Sequence, residues 1–70
     1  MNNLAQAKSS ICSCKLKSEV FDVISDFTDS CRFSYSDDLT VTENAAIAAR
    51  QGKFKVAELL DFSAKKLEKL

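Results

Sequence analysis

Residues 53–70 read KFKVAELLDFSAKKLEKL, and this stretch decides the fold. Its apolar side chains recur at helical spacing along one stripe, while charged side chains occupy the other faces. Asp61 precedes Lys65 by four residues, which is the favourable order for an ion pair on a helix surface. We therefore predict an amphipathic α-helix whose apolar stripe must be buried against another surface. The stripe consists of Val56, Leu59, Leu60, Ser63, Leu67 and Leu70.

The preceding segment predicts the surface on which this helix packs. Thr40 followed three residues later by Glu43 is typical of a capping box at a helix N-terminus. The small side chains that dominate residues 45–49 would let a neighbouring helix approach closely. Gly52 separates the two helical patterns and either kinks one long helix or caps the first of two. A helical hairpin is therefore expected in the second half of the chain.

Two further apolar patterns at helical spacing precede residue 31. The first includes Leu4 and Ile11, and the second includes Val20, Ile24 and Phe27 after Ser18, a residue type that favours N-caps. We predict an all-α fold of two or three helices, at roughly residues 3–16, 19–30 and 41–69, with the last helix broken or kinked near Gly52. The predicted core is Leu4, Ile11, Val20, Ile24, Phe27, Phe33, Ala48, Phe54, Leu59, Leu60 and Leu67.

Residues 31–42 change to a two-residue alternation of apolar and polar side chains. Two alternatives remain open for this segment. It forms either an extended connection whose aromatic side chains pack on the helices or a short β-hairpin, although two strands alone are barely stable. We favour the extended connection.

The 70 residues predict one small domain, residues 1–70, with 46% apolar and 29% charged residues. The formal net charge is zero, but residues 18–44 carry seven acids against one arginine, whereas both flanking segments are basic. A general polyanion-binding protein would show a clear basic excess, so this class is not expected. The acidic middle either meets a basic partner or folds against the basic ends of the chain, and we favour the second alternative.

The chain has no histidine, which removes the commonest general acid–base group and most hydrolytic zinc sites. Three cysteines, Cys12, Cys14 and Cys31, are an odd number and give no closed disulfide framework. Three thiolates could bind a soft metal ion, but structural zinc requires four ligands. We expect free thiols, no metal site, no cofactor and no enzymatic activity.

Residues 45–67 carry small and aromatic side chains at a familiar spacing: Ala45, Gly52, Phe54, Ala57 and Ala64. This pattern resembles a tetratricopeptide repeat, a helix–turn–helix unit of about 34 residues. The resemblance covers a single unit, and it departs from the family at Ala48 and Asp61, where bulky and aromatic residues are usual. It implies a helical hairpin of the kind used in protein–protein binding, with the aromatic after the glycine between the two helices.

These observations predict a small protein that works by binding, as an adaptor, co-chaperone or regulatory subunit. Its partner would be another protein or a second copy of itself. The alternative is a small nucleic-acid-binding regulator that uses the basic C-terminal helix. No apolar run reaches the length of a membrane span or of a signal-peptide core, so we expect a cytoplasmic location and no membrane contact. The predicted partner-binding residues are Val56, Leu60, Phe62, Leu67 and Leu70.

Overall fold

The computed structural model describes residues 3–70. In this part of the chain four α-helices follow one another: α1 (Leu4–Ser13), α2 (Lys17–Ser30), α3 (Val41–Arg50) and α4 (Phe54–Lys69). The all-α prediction is confirmed. Across the same residues there is no β-strand, and residues 31–40 consist of turns and irregular backbone, so the β-hairpin alternative is not present.

The helix α4 lies at the centre of the arrangement, because it packs against each of the other three helices. Its most extensive partner is α3, with which it forms the expected helical hairpin. Val56, Leu59, Leu60 and Ser63 of α4 are fully buried. Opposite them lie the remaining core residues: Ala7, Ile11, Cys14, Val20, Ile24, Phe27, Phe33, Val41, Ala45 and Ala48.

Phe54 is a correction to the predicted core, since 71% of it is exposed. It is the first residue of α4, and Val56 points into the core two residues later. Two residues correspond to about 200° around a helix, which places Phe54 on the side facing away from the core. Leu4 and Leu67 are partly buried and pack against the edge of the core.

The N-termini of two helices are capped by glutamates. At α3 the Thr40 hydroxyl accepts from the Glu43 amide at 3.0 Å, and the Glu43 carboxylate accepts from the Thr40 amide at 2.9 Å, which confirms the predicted capping box. At α2 the cap expected at Ser18 is wrong, because the helix already begins at Lys17. There the Glu19 carboxylate accepts from the amides of Lys15 at 2.8 Å and Leu16 at 2.9 Å.

The C-termini of α2 and α3 end in the same type of turn, in which a left-handed residue reverses the chain. After α3 this residue is Gly52, at φ 77°, and after α2 it is Arg32, at φ 56°. In each turn the next residue's amide reaches back five positions: Lys53 to the Ala48 carbonyl and Phe33 to the Thr28 carbonyl, both at 2.9 Å. These are Schellman motifs, so Gly52 ends α3 and separates it from α4.

Candidate interaction surface

The structure divides the five predicted partner-binding residues into two groups. Val56 and Leu60 are fully buried in the core, so their side chains are not accessible in this fold. Phe62 and Leu67 are partly buried, and Leu70 is 39% exposed. The accessible part of the predicted site therefore lies on the C-terminal half of α4 and at its C-cap, Leu70.

A depression lies between this half of α4 and α1. It is bounded by one exposed cysteine, one aromatic ring and three lysines, and we call this set the basic surface: Cys12, Phe62, Lys65, Lys66 and Lys69. The ammonium of Lys66 donates to the Cys12 carbonyl at 3.0 Å, which joins the C-terminal turn of α1 to α4. The position of this lysine is therefore set by the packing of the two helices.

Phe62 is held in place from the side of α1. The Nζ atom of Lys8 lies 5.5 Å from the centroid of the Phe62 ring, within the range of a cation–π interaction. Lys8 also forms an ion pair with Glu58. One face of the ring is thus occupied by Lys8, and the ring also lines the depression.

The basic surface combines apolar contact area with positive charge. An aromatic ring and the apolar stems of the lysines offer contact area, while the ammonium groups remain in water. Lys65 and Lys69 are exposed and form no ion pair with any described residue. The arrangement therefore favours a ligand with carboxylates around an apolar side chain.

A second depression lies between α2 and the segment that leads into α3. The sequence did not predict it. Apolar and aromatic side chains form it together with one carboxylate, and Asp38, the next residue, is exposed beside it. We call these residues, with Asp38, the acidic surface. The residues lining the depression are Phe21, Tyr35, Asp37, Leu39, Thr40 and Val41.

Phe21 is 40% exposed, although it lies on a helix whose other large apolar residues face the core. Burial, and then the charge of Asp37, raise the pKa of the Tyr35 hydroxyl. Tyr35 is therefore neutral at physiological pH, and the charge of this surface comes from its carboxylates. In the sequence, only the alternation in residues 31–42 and the adjacent Asp37 and Asp38 pointed to this surface.

The fully buried Asn44 forms hydrogen bonds to the loop that carries the acidic surface. Its side-chain oxygen accepts from the Ser36 amide at 2.9 Å, and its side-chain nitrogen donates to the Ser36 carbonyl at 3.0 Å. The same nitrogen donates to the Thr40 carbonyl at 2.9 Å. The side-chain amide of Asn44 thus forms hydrogen bonds at both ends of the loop and determines the path of residues 36–40.

Among the described residues, the carboxylates of the acidic middle segment form no ion pair with the basic ends of the chain. Within residues 3–70 the only ion pair is that between Lys8 and Glu58, and neither residue belongs to the segment 18–44. All seven carboxylate side chains of that segment are exposed. The sequence predicted that this segment folds against the chain's own basic ends. No ion pair among the described residues supports that prediction.

The basic residues on and next to the C-terminal helix, which a nucleic-acid-binding regulator would use, differ in their exposure. Lys53 is partly buried and donates to the Cys31 carbonyl, as Lys66 does to that of Cys12. The remaining ones, Arg50, Lys55, Lys65 and Lys69, are exposed. Glu58, Asp61 and Glu68 of α4 are exposed as well, so carboxylates lie between the lysines along this helix.

All three thiols are free: Cys12 is exposed, Cys14 buried and Cys31 partly buried. Burial, followed by the charge of Glu19, raises the pKa of Cys14, whose thiol donates to the Ser10 carbonyl at 3.1 Å. Among residues 3–70 no three metal-ligating side chains lie close enough together to hold an ion.

No protein-family model, curated protein or solved structure matches this chain. The resemblance to a tetratricopeptide repeat stays an expectation, and the exposed Phe54 does not lie between helices as that family would require. In the part of the chain that the structure describes, no helix is both long and apolar enough to cross a membrane.

Proposed function

We propose that this chain is a non-enzymatic protein–protein interaction protein, such as an adaptor, co-chaperone or regulatory subunit, and that it acts in the cytoplasm. The observation that carries the proposal is the basic surface, where Phe62 lines an open depression beside Lys65 and Lys69. Two of the predicted contact residues are buried, so binding depends on the C-terminal half of α4 and on α1.

The partner has a defined chemistry under this proposal. It presents a segment in which carboxylates flank an apolar side chain, so that the apolar group contacts Phe62 and the carboxylates approach the lysines. Charge complementarity would guide the encounter and select the partner, while the aromatic contact would contribute most to affinity.

The test is affinity capture from an extract of the source organism, with mass-spectrometric identification of the captured protein. Wild-type protein is compared with Phe62→Ala and with Lys65→Glu/Lys69→Glu. The matched control is Arg50→Glu/Lys55→Glu, which changes the net charge equally but alters residues outside the basic surface. A partner retained by the control and lost by both surface variants supports the proposal. Equal capture by all four proteins would contradict it.

Nucleic-acid binding is the alternative, favoured by the exposed ammonium groups of Lys65 and Lys69, which pair with no carboxylate in residues 3–70. Phosphate contacts release counterions, so such binding must weaken steeply as the salt concentration rises. A fluorescence-anisotropy titration with single-stranded and duplex oligonucleotides tests it. Salt-sensitive binding abolished by Lys65→Glu/Lys69→Glu would favour this alternative over a protein partner.

A further inference from the structure

The molecule carries two surfaces of opposite charge and similar construction. The basic surface has Phe62 among three lysines, and the acidic surface has Phe21 and Leu39 beside Asp37. The two depressions share no residue. Each is therefore the kind of ligand that the other would bind.

The charged side chains of both surfaces lack an ion-pair partner in the part of the chain that the structure describes. Among the described residues, Asp37 and Asp38 form no ion pair, and neither do Lys65, Lys66 and Lys69. The unpaired charges are available for contacts between molecules. Because the formal net charge is zero, two copies experience no overall repulsion at neutral pH.

Apolar contact area is also present on both sides. Phe21 is 40% exposed and Phe62 is partly buried, so each surface presents an aromatic ring to solvent. Aromatic rings are enriched at the centres of protein interfaces, where surrounding polar groups exclude water. The two surfaces thus match in charge and in apolar content.

We propose that the occupant of the basic surface is the acidic surface of a second copy of this chain. This inference rests on the proposed function and names its partner. The contact joins two different patches, so it either closes reciprocally into a symmetric dimer or continues from copy to copy. Asp37, Lys65 and Lys69 are exposed, and exposed ion pairs contribute little, so the association is expected to be weak, with a Kd above about 1 μM.

The test is sedimentation velocity of the full chain at concentrations up to about 1 mM and at low and high salt. The wild-type protein should associate in a concentration-dependent manner, and salt should weaken the association because the charges lie at the surface. Lys65→Glu/Lys69→Glu should weaken it by at least about tenfold, since like charges then face each other. Asp37→Lys/Asp38→Lys should weaken it to a similar extent.

Mixing the two charge-reversed variants gives the decisive measurement. One variant then carries two acidic surfaces and the other two basic surfaces, so the equimolar mixture should associate more tightly than either variant alone. Arg50→Glu/Lys55→Glu is the control for net charge and should retain more of the wild-type association than Lys65→Glu/Lys69→Glu. Circular dichroism of each variant confirms that the helices are intact.

Three results would overturn the inference: wild-type protein that stays monomeric throughout, charge-reversed variants that associate like the wild type, or a mixture that fails to associate. A monomeric wild-type protein that still captures another protein through Phe62 and Lys65 would overturn only the identity of the partner. Failure of both experiments would remove the proposed function as well.

Discussion

The ammonium of Lys53 donates to the Cys31 carbonyl at 3.0 Å, although 22 residues separate the two in the sequence. Cys31 is the C-cap of α2, and Lys53 is the N-cap of α4. A cation therefore lies at the negative end of the α2 dipole and joins the end of one helix to the start of another. A third depression is lined by residues around this contact: Cys31, Gly52, Lys53, Phe54, Lys55 and Val56.

Replacing Lys53 with methionine should lower the free energy of unfolding by about 1–2 kcal/mol, because a hydrogen bond to a charged group and a favourable dipole interaction are both lost. Urea denaturation followed by circular dichroism measures the change. Lys55→Met is the matched control, since Lys55 is exposed and makes no hydrogen bond or ion pair among the described residues. Equal destabilisation by the two variants would show that the contact with Cys31 is not important.

Arg32 adopts the left-handed conformation that costs most residues about 1–2 kcal/mol and glycine almost nothing. Glycine is also more flexible in the unfolded chain, which offsets part of this gain. Arg32→Gly should therefore stabilise the protein, by up to about 1 kcal/mol. Thermal and urea unfolding measure the change.

The reciprocal substitution at the equivalent turn provides the control. No neighbouring atom lies within 4 Å of a Cβ added at Gly52, so Gly52→Ala would introduce backbone strain without a steric clash. It should destabilise the protein by about 1 kcal/mol. A destabilised Arg32→Gly variant would mean that the arginine side chain contributes more than its backbone conformation costs.

Asn44→Ala should destabilise the protein by about 2–3 kcal/mol, since it leaves the Ser36 amide and carbonyl without their partner in a partly buried position. Besides lowering the free energy of unfolding, the substitution should make the loop around Ser36 open more often. Hydrogen exchange at the Ser36 amide should become faster than at core amides of α4. If the protection of Ser36 is unchanged in the variant, Asn44 does not determine the path of the loop.

The hydrogen bonds of Glu19 predict that the free energy of unfolding depends on pH. The backbone amides of Lys15 and Leu16 donate to its carboxylate and hold its pKa below the usual value. The folded protein thus binds this proton less readily than the unfolded chain. The resulting stabilisation is complete above the unfolded pKa and is lost as the pH falls through the folded pKa.

Urea denaturation of wild-type protein and Glu19→Gln, performed at pH 7 and at pH 3, tests this prediction. The wild type should be the more stable protein at pH 7, and the difference should shrink at pH 3. A carboxyl titration of Glu19 by nuclear magnetic resonance should show the lowered pKa directly. A difference in stability that stays constant between the two pH values would contradict it.

Much of the helical architecture could be predicted from local pattern. The spacing of Val20, Ile24 and Phe27 and the capping box at Thr40 depend on neighbours within a few residues, so they are readable in the chain. The failures at Ser18 and Phe54 share one cause. Each lies at a helix boundary, where a shift of one or two residues changes which face a side chain occupies.

The candidate site was only partly predictable for a different reason. Apolar periodicity identifies which face of α4 turns inward but not how far along the helix the neighbours extend. The neighbouring helices bury Val56 and Leu60 completely. They bury Phe62 only in part, and Leu70 stays exposed. The acidic surface depends on Asn44, whose hydrogen bonds to Ser36 join residues eight positions apart.

By itself the sequence determined the all-α class, the approximate positions of the helices, the buried stripe of α4 and the separation of charge along the chain. These properties follow from local spacing and composition. Only the tertiary structure decided which apolar residues remain accessible, and that the charges of the basic and acidic surfaces form no ion pair with any described residue. Burial and charge pairing depend on which segments come together in space, and packing of the four helices, rather than local spacing, selects those neighbours.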